Sequence, residues 1–341
     1  MQIARRAISP DEPPYVIAEI GVNHDGSVDR GVELVRAAAL AGADAIKLQL
    51  FREDLILSRA AKPAQYQIAA GAPEPHELLR SLELSAKQMQ PMIDEARHVG
   101  VHAIVTVFNL ELVEEAETLH VDAYKTASPD LVNRPLIEAL MRTGRPLILS
   151  AGAATLDEVR NATRWLSGFP HLLMQCVSAY PAPDDCAALA GRLAMLEVNP
   201  NSLGYSDHTI ALDTGAMAVA SGVCFLEKHL THDRMAHGPD HAASLDPTGF
   251  AEYVRLAHRA WRMLGPRTKN VLDIERDVRE VSRQSLTVKR DLPAGHVLAR
   301  EDLAVKRPGA GLSPSLMEFV LGRSLTRAVA ADTPLHEDDL R

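Results

Sequence analysis

At 341 residues, with 46% hydrophobic and 24% charged residues, the chain is long enough for one large domain and one small one with an ordinary globular core. Its formal net charge of −9 argues against nucleic-acid binding, which calls for a basic face. No apolar run approaches the roughly 18 residues that span a bilayer, and the opening MQIARRAISPDEPP lacks the apolar stretch of a signal peptide, so a cytoplasmic protein without a membrane partner is expected. Cys176, Cys186 and Cys224 lack metal spacing and read as reduced thiols, in keeping with a reducing compartment.

Strand-like apolar runs are expected at 15–21, 45–51, 102–108, 123–127, 146–152, 171–178, 203–207 and 224–230. Amphipathic helical runs such as DRGVELVRAAALAGA and TLDEVRNATRWLSG alternate with them, each carrying a glycine near its end. Eight strands alternating with eight helices predict parallel crossovers and a closed (β/α)8 TIM barrel over 1–264; an open doubly wound sheet is the alternative. The second connection, 52–80, is long and rich in proline, glycine and charge before a helix near 85–99, and it follows a strand, where barrels build active sites. A helix at 248–264 closes the barrel and 265–284 reads as a partly helical linker. From 285 to 341 short β runs and tight Pro/Gly turns predict a separate small β-rich domain. No internal repeat stands out.

The carboxyl ends of barrel strands face substrate. Here they carry Glu19, Asn23 and His24 (first strand), Lys47 and Gln49 (second), Lys125 and Ser128 (fourth), and Ser150 (fifth). The sixth supplies Ser178 and Tyr180, the seventh Ser206, Asp207 and His208, and the eighth Lys228 and His229. Lys47, Lys125 and Lys228 lie in apolar strands, where an unpaired ammonium is costly to bury. Neighbouring carboxylates are one source of counter-charge; three lysines at strand ends point rather to an anionic ligand. His208 and His229 close adjacent strands, so their imidazoles can converge on one divalent cation. His232, His237 and His241 lie nearby, and spacing alone does not choose among them. Glu19 fits a base, a sugar ligand or a partner for lysine.

These residues fall within segments that resemble the N-acetylneuraminate (sialic acid) synthase family: IAEIGVNHDG, GADAIKLQLF, YKTASPDL, PLILSAGAATLDEV, QCVSAYPAP, GYSDHT and EKHLTHDRMAHGPDHAASL. The C-terminal SLTVKRDLPAGHVLAREDLAVKRPGAGLSP resembles the family's antifreeze-like (SAF, β-clip) domain. The resemblance implies a barrel enzyme that condenses phosphoenolpyruvate with an N-acylated amino sugar and water, releasing phosphate. It implies Mn²⁺ or Mg²⁺ on His208 and His229. It implies phosphoenolpyruvate held by Lys47, Lys125, Ser128, Ser150, Ser178 and Ser206, with Gln49 close by, and the sugar by Glu19, Tyr180 and Asp240. It further implies a domain-swapped homodimer in which Arg307 reaches the sugar bound by the other subunit.

Three segments depart from the family pattern: VTVFN at 105–109 for STPFD, KTASPD with Pro129 where glycine is usual, and SAGA at 150–153 for STGM. They leave the lysines and histidines in place but bear on the acceptor, for which N-acetylmannosamine and a 2,4-diacetamido-trideoxyhexose leading to legionaminate or pseudaminate are the candidates. Ala64-Gln65-Tyr66-Gln67 leans to a neuraminate or legionaminate maker. A sugar-phosphate synthase or metal-dependent aldolase would lack the antifreeze-like domain, and a polysaccharide-assembly scaffold without turnover would not need both lysines and both histidines.

Overall fold

In a strand, neighbouring side chains point to opposite faces, so a strand inside a ring of helices needs apolar residues at nearly every position. Eight such strands form in the computed structural model, which describes residues 1–58 and 75–341. Ala64-Gln65-Tyr66-Gln67 lies outside the described residues. After a small hairpin of β1 (Gln2–Ile3) and β2 (Arg6–Ala7) come β3 (Tyr15–Glu19), β4 (Ala45–Leu50), β5 (His102–Val107) and β6 (Ala123–Thr126). β7 (Leu147–Ser150), β8 (His171–Cys176), β9 (Gly204–Asp207) and β10 (Phe225–His229) complete the set. They are joined in chain order, and β10 pairs with β3 to close the barrel, so the open-sheet alternative falls. Most strands stop short of the carboxyl ends of the apolar runs, because residues there have left the ladder for loops.

Alternation sorts the side chains. Tyr15, Ile17, Ala45, Ile104, Ile148, Leu172 and Phe225 point inward and fill the amino-terminal half of the barrel, where Ile3 and Ile8 of the hairpin segment join them. Tyr15 stacks on Phe225 at 5.0 Å and on His102 at 5.8 Å, and its hydroxyl meets His102 Nδ1 at 2.8 Å. Their outward neighbours, among them Val16, Ile46, Val105, Leu149 and Leu226, pack against the helices. The helix Ala86–Val99 shows why these helices form where they do. Ser85 and Gln88 make a capping box, Met89, Met92, Ile93 and Ala96 give it one buried face, and Gly100 ends it in the left-handed conformation. The inward layer is polar only at the carboxyl-terminal mouth.

The chain divides into two compact units, Met1–Pro266 and Arg267–Arg341. The stretch expected as a linker includes a short helix, Arg276–Ser282, belonging to the second unit. In that unit β11 (Ser285–Val288) and β12 (Leu303–Lys306) pair antiparallel over a core of Leu286, Val288, Leu298, Val320, Val329 and Leu335. Contrary to the sequence expectation, the unit contains an internal repeat. Arg290 binds the buried Asp302 at 2.6 Å and Arg327 binds the buried Asp339 at 2.6 Å. In each half the carboxylate also accepts a backbone N–H three residues earlier, from Ala299 and from His336. Leu292 and Val329 meet across the pseudo-symmetric bridge. At the same spacing the halves also share Ala294 and Ala331, Leu298 and Leu335, and Leu303 and Leu340. No helix among the described residues is long and apolar enough to cross a membrane.

Gly204 shows how tight the barrel interior is. A Cβ there would lie 2.6 Å from Met174 Cγ, 2.8 Å from Leu172 Cδ2 and 3.2 Å from the Leu173 carbonyl oxygen. Gly204→Ala should lower the unfolding free energy by about 1–3 kcal/mol through overpacking. Urea unfolding checks this: a lower midpoint at constant m-value is expected, and an unchanged midpoint would mean that Met174 yields freely.

Candidate active site

At the carboxyl-terminal mouth the inward positions change from apolar to charged. Glu19, Lys47, Lys125, Ser150, Ser206, Glu227 and His229 all face a cavity of about 760 Å³. Glu19 and Lys47 stand side by side in the β3–β4 register, and Glu227 lies beside Ser206 in the β10–β9 register. Lys47 Nζ lies 2.5 Å from Glu19 Oε2 and 3.0 Å from Glu227 Oε1, and Lys125 Nζ is 3.4 Å from the same Glu227 oxygen. Ser206 Oγ donates to it at 3.0 Å. Gly21 N–H donates to Glu19 Oε1, an approach that the missing Cβ at residue 21 permits.

Glu227 was not among the sequence candidates. Burial pushes its carboxyl up, but Lys125 and Lys47 pull it down further, so it is held well below the usual carboxylate range. The available signal was its parity with His229, two residues on and hence on the same face. The same parity corrects the expectation for Lys228. Its neighbours Glu227 and His229 face inward, so Lys228 faces the helices, with Nζ 3.1 Å from Asp207 Oδ2 and 5.3 Å from the centre of the Tyr253 ring. Two lysines converge on the cavity, not three, and all three have carboxylate partners.

Beside the lysines lies a cradle of hydroxyls. A Cβ on Gly152 would sit 2.7 Å from Ser128 Oγ, 3.1 Å from Cys176 Sγ and in collision with Ser178 Oγ, so those three side chains surround a space that only glycine leaves open. Gly152 N–H donates to Ser128 Oγ at 3.0 Å. The buried Ser150 Oγ has no hydrogen-bond partner among the described residues, nor do Thr106 Oγ1 and Asn109 Oδ1, which line the same cavity. The orphaned hydroxyls of Ser150 and Thr106 can donate to an oxyanion beside two ammonium groups, whereas the Asn109 amide oxygen can only accept. Gln49 lines the cavity too. Thr106, Asn109 and Cys176 are further lining residues that were not singled out in the sequence.

Beside the cradle, where His208 Nδ1 lies 3.7 Å from Cys176 Sγ, the rings of His208 and His229 stand 5.3 Å apart at 71°, with Tyr180 4.0 Å from His208 and 5.8 Å from His229. His208 Nδ1–H donates to the Val177 carbonyl at 2.7 Å, which leaves Nε2 as the free lone pair. His229 Nδ1 is 3.3 Å from Asp240 Oδ2, an electrostatic contact without hydrogen-bond geometry. Burial lowers the pKa of both rings, keeping them neutral near pH 7 as metal ligands require. The pair therefore fits a divalent cation with two protein ligands and open positions; no group of three or more candidate ligands occurs among the described residues. Arg307 lies exposed in the second unit, in the segment after β12. One flank of the cavity is apolar, formed by Val22, Phe51, Leu55, Ile56, Leu79 and Phe108.

Burial lowers the Lys47 pKa to about 7 against the opposing pull of Glu227. The ammonium is therefore present below that pH and lost above it. Affinity for sulfate, whose own charge is constant between pH 6 and 8.5, should fall as pH rises through about 7. Calorimetric titration measures this, and an affinity independent of pH would mean that Lys47 keeps its proton throughout.

The comparisons agree with this geometry. Residues 34–269 match the NeuB family and residues 283–341 the SAF domain. The chain is 34% identical to the N,N'-diacetyllegionaminic acid synthase of Legionella pneumophila, over 94% of this chain and 93% of that protein. It is 30% identical to the N-acetylneuraminate-9-phosphate synthase of Mus musculus, over 98% and 95%. The crystal structure of N-acetylneuraminic acid (sialic acid) synthetase from Leptospira borgpetersenii superposes with a TM-score of 0.75 at 26% identity, covering 82% of this chain and 94% of that one. By fold and by sequence over most of its length, this chain belongs to the NeuB family.

Proposed function

We propose that the protein condenses phosphoenolpyruvate with the open-chain aldehyde of an N-acylated amino sugar such as N-acetylmannosamine, with water, to give a sialic-acid-type sugar acid and inorganic phosphate. The observation that carries this reading is the convergence of Lys47, Lys125 and the serine cradle with His208 and His229 on one cavity. Lys47, Lys125, Ser128, Ser150, Ser178 and Ser206 hold the phosphate and carboxylate and stabilise their charge, a positioning and electrostatic role. Gln49 closes this subsite. Tyr180 and Asp240 orient the sugar. Glu19, ion-paired with Lys47, is the carboxylate that handles the proton of the water added at C2 of phosphoenolpyruvate. Mn²⁺ or Mg²⁺ held by His208 and His229 would supply Lewis-acid polarisation of the aldehyde. The new C–C bond joins C3 of phosphoenolpyruvate to the aldehyde carbon, and the hydrated C2 centre then expels phosphate.

A 2,4-diacetamido-trideoxyhexose is the second reading of the acceptor, and the apolar flank favours it, since acetyl and C6 methyl groups can pack there. A phosphorylated sugar is the least suited, because the only lysines or arginines lining the cavity among the described residues are Lys47 and Lys125, both carboxylate-paired. The swapped homodimer, with Arg307 of one protomer serving its partner's acceptor, is part of the same proposal. Arg307 is exposed and makes no ion pair among the described residues, so it is available for that contact.

Incubation with phosphoenolpyruvate, Mn²⁺ and a panel of acceptors, followed by phosphate release, tests the reaction. The panel holds N-acetylmannosamine, its 6-phosphate and the two diacetamido-trideoxyhexoses. Release with one unphosphorylated sugar, abolished by EDTA, is expected; no release with any of them would favour a scaffold without turnover. His208→Ala should abolish metal-dependent release with little loss of fold by circular dichroism, and near-normal activity with the same metal dependence would sink the ligand assignment. Arg307→Ala mixed with Lys125→Met should regain activity that neither has alone, which an arginine acting within its own protomer would not allow.

A further inference from the structure

A second polar network lies outside the lysines and the serine cradle, at the base of the loop that follows β10. His241 is buried and held at both ring nitrogens: Nδ1 lies 2.7 Å from Thr231 Oγ1, and Nε2 lies 2.9 Å from Asp25 Oδ1. Thr231 closes the end of β10, while Asp25 belongs to the loop after β3, so one ring ties two loops from neighbouring strands. The same β3 loop takes a second grip through Asn23, whose Nδ2 donates to the Leu230 carbonyl at 2.9 Å and to Ser244 Oγ at 2.8 Å. Ser244 Oγ in turn donates to the Asp240 carbonyl at 2.6 Å. Asp240 is thus flanked by two points of attachment to the β3 loop, and its carboxylate lies 3.3 Å from His229 Nδ1.

We propose that Asp25 and His241 are positioning residues that fix Asp240 against His229 and toward the acceptor; this rests on the roles proposed above for Asp240 and His229. Two observations beyond the hydrogen bonds support it. Asp25 sits at φ 49°, in the left-handed region that few residues other than glycine, asparagine and aspartate adopt. Gly238 passes so close over the ring that a Cβ there would lie 2.6 Å from His241 Cδ2 and 2.9 Å from its Nε2. Backbone, ring and carboxylate therefore admit one arrangement. A group that orients a histidine ligand or its carboxylate from outside the coordination sphere commonly changes metal affinity or activity by about 10–100-fold when removed.

The test compares Asp25→Ala, Asp25→Asn, His241→Ala and Gly238→Ala with the wild type in three measurements. These are hydrogen exchange across 231–246, Mn²⁺ affinity from electron paramagnetic resonance of the free ion, and KM for acceptor and for phosphoenolpyruvate separately. We expect faster exchange confined to 231–246, Mn²⁺ binding weakened about tenfold and acceptor KM raised about tenfold in the alanine variants at positions 25 and 241. The KM for phosphoenolpyruvate should stay close to wild type. Asp25→Asn keeps an oxygen for His241 Nε2–H and should restore most of each loss, while Gly238→Ala should reproduce the losses with every hydrogen-bonding group present. Wild-type exchange in 231–246 would overturn the proposal. So would faster exchange with unchanged Mn²⁺ affinity and acceptor KM, which marks a purely structural clasp. If the wild type turns over no acceptor, the proposed reaction fails by itself, and the exchange and Mn²⁺ measurements still decide whether Asp25 and His241 position Asp240.

Discussion

Two ammonium groups inside a closed barrel depend on one carboxylate. Lys47 and Lys125 both reach the same oxygen of Glu227, and Glu19 takes the other side of Lys47. Without Glu227 the lysines would face each other in a buried space, where an uncompensated charge costs several kcal/mol and the usual relief is loss of the proton. With it, the pair is neutralised yet left with unused donor capacity toward the cavity. An incoming anion is met by groups already oriented and desolvated, so little reorganisation remains for the moment of binding.

The rest of the mouth follows from where the backbone leaves the barrel. The carboxyl end of β8 brings Cys176 and Ser178 against the bare Gly152, Ser128 comes from the turn after β6, and Ser150 ends β7. The departures from the family pattern fall in this zone. VTVFN keeps Thr106 facing the cavity and replaces an acidic end by Asn109, while SAGA keeps both Ser150 and the glycine whose missing Cβ makes the cradle. These changes keep both lysines and the cradle hydroxyls and alter the charge of the wall at Asn109; Val22, Phe51 and Phe108 form an apolar flank of the same cavity. Substitutions on that flank act on the shape offered to a second ligand.

On the histidine side a hydrogen bond to a backbone carbonyl holds His208 and leaves its Nε2 for a ligand, while the Asp240 carboxylate faces His229 Nδ1 at 3.3 Å. Such outer contacts are as much a part of a metal site as the ligands themselves. They also link the site to the loops after β3 and β10, which share no sequence neighbourhood and meet only because β10 pairs with β3.

Much of this was legible in the sequence by itself. Short continuous apolar runs alternating with amphipathic helices pointed to eight parallel strands, because strands apolar on both faces must be covered on both. Lys47, Lys125, Ser150, Ser206, His208 and His229 were readable as polar residues at strand ends, and the adjacency of Lys228 to His229 already implied opposite faces. What only the tertiary structure decided was partnership. That Glu227 serves two lysines depends on the β3–β10 closure and on the register between strands far apart in the chain. That His241 bridges Thr231 to Asp25 depends on two loops meeting across that same seam. The repeat in the second unit was legible too, since Arg290, Ala294, Leu298, Asp302 and Leu303 recur at one offset as Arg327, Ala331, Leu335, Asp339 and Leu340. Local spacing determines which way a side chain points; which other side chain it meets is set by barrel closure, a long-range event with no local signature.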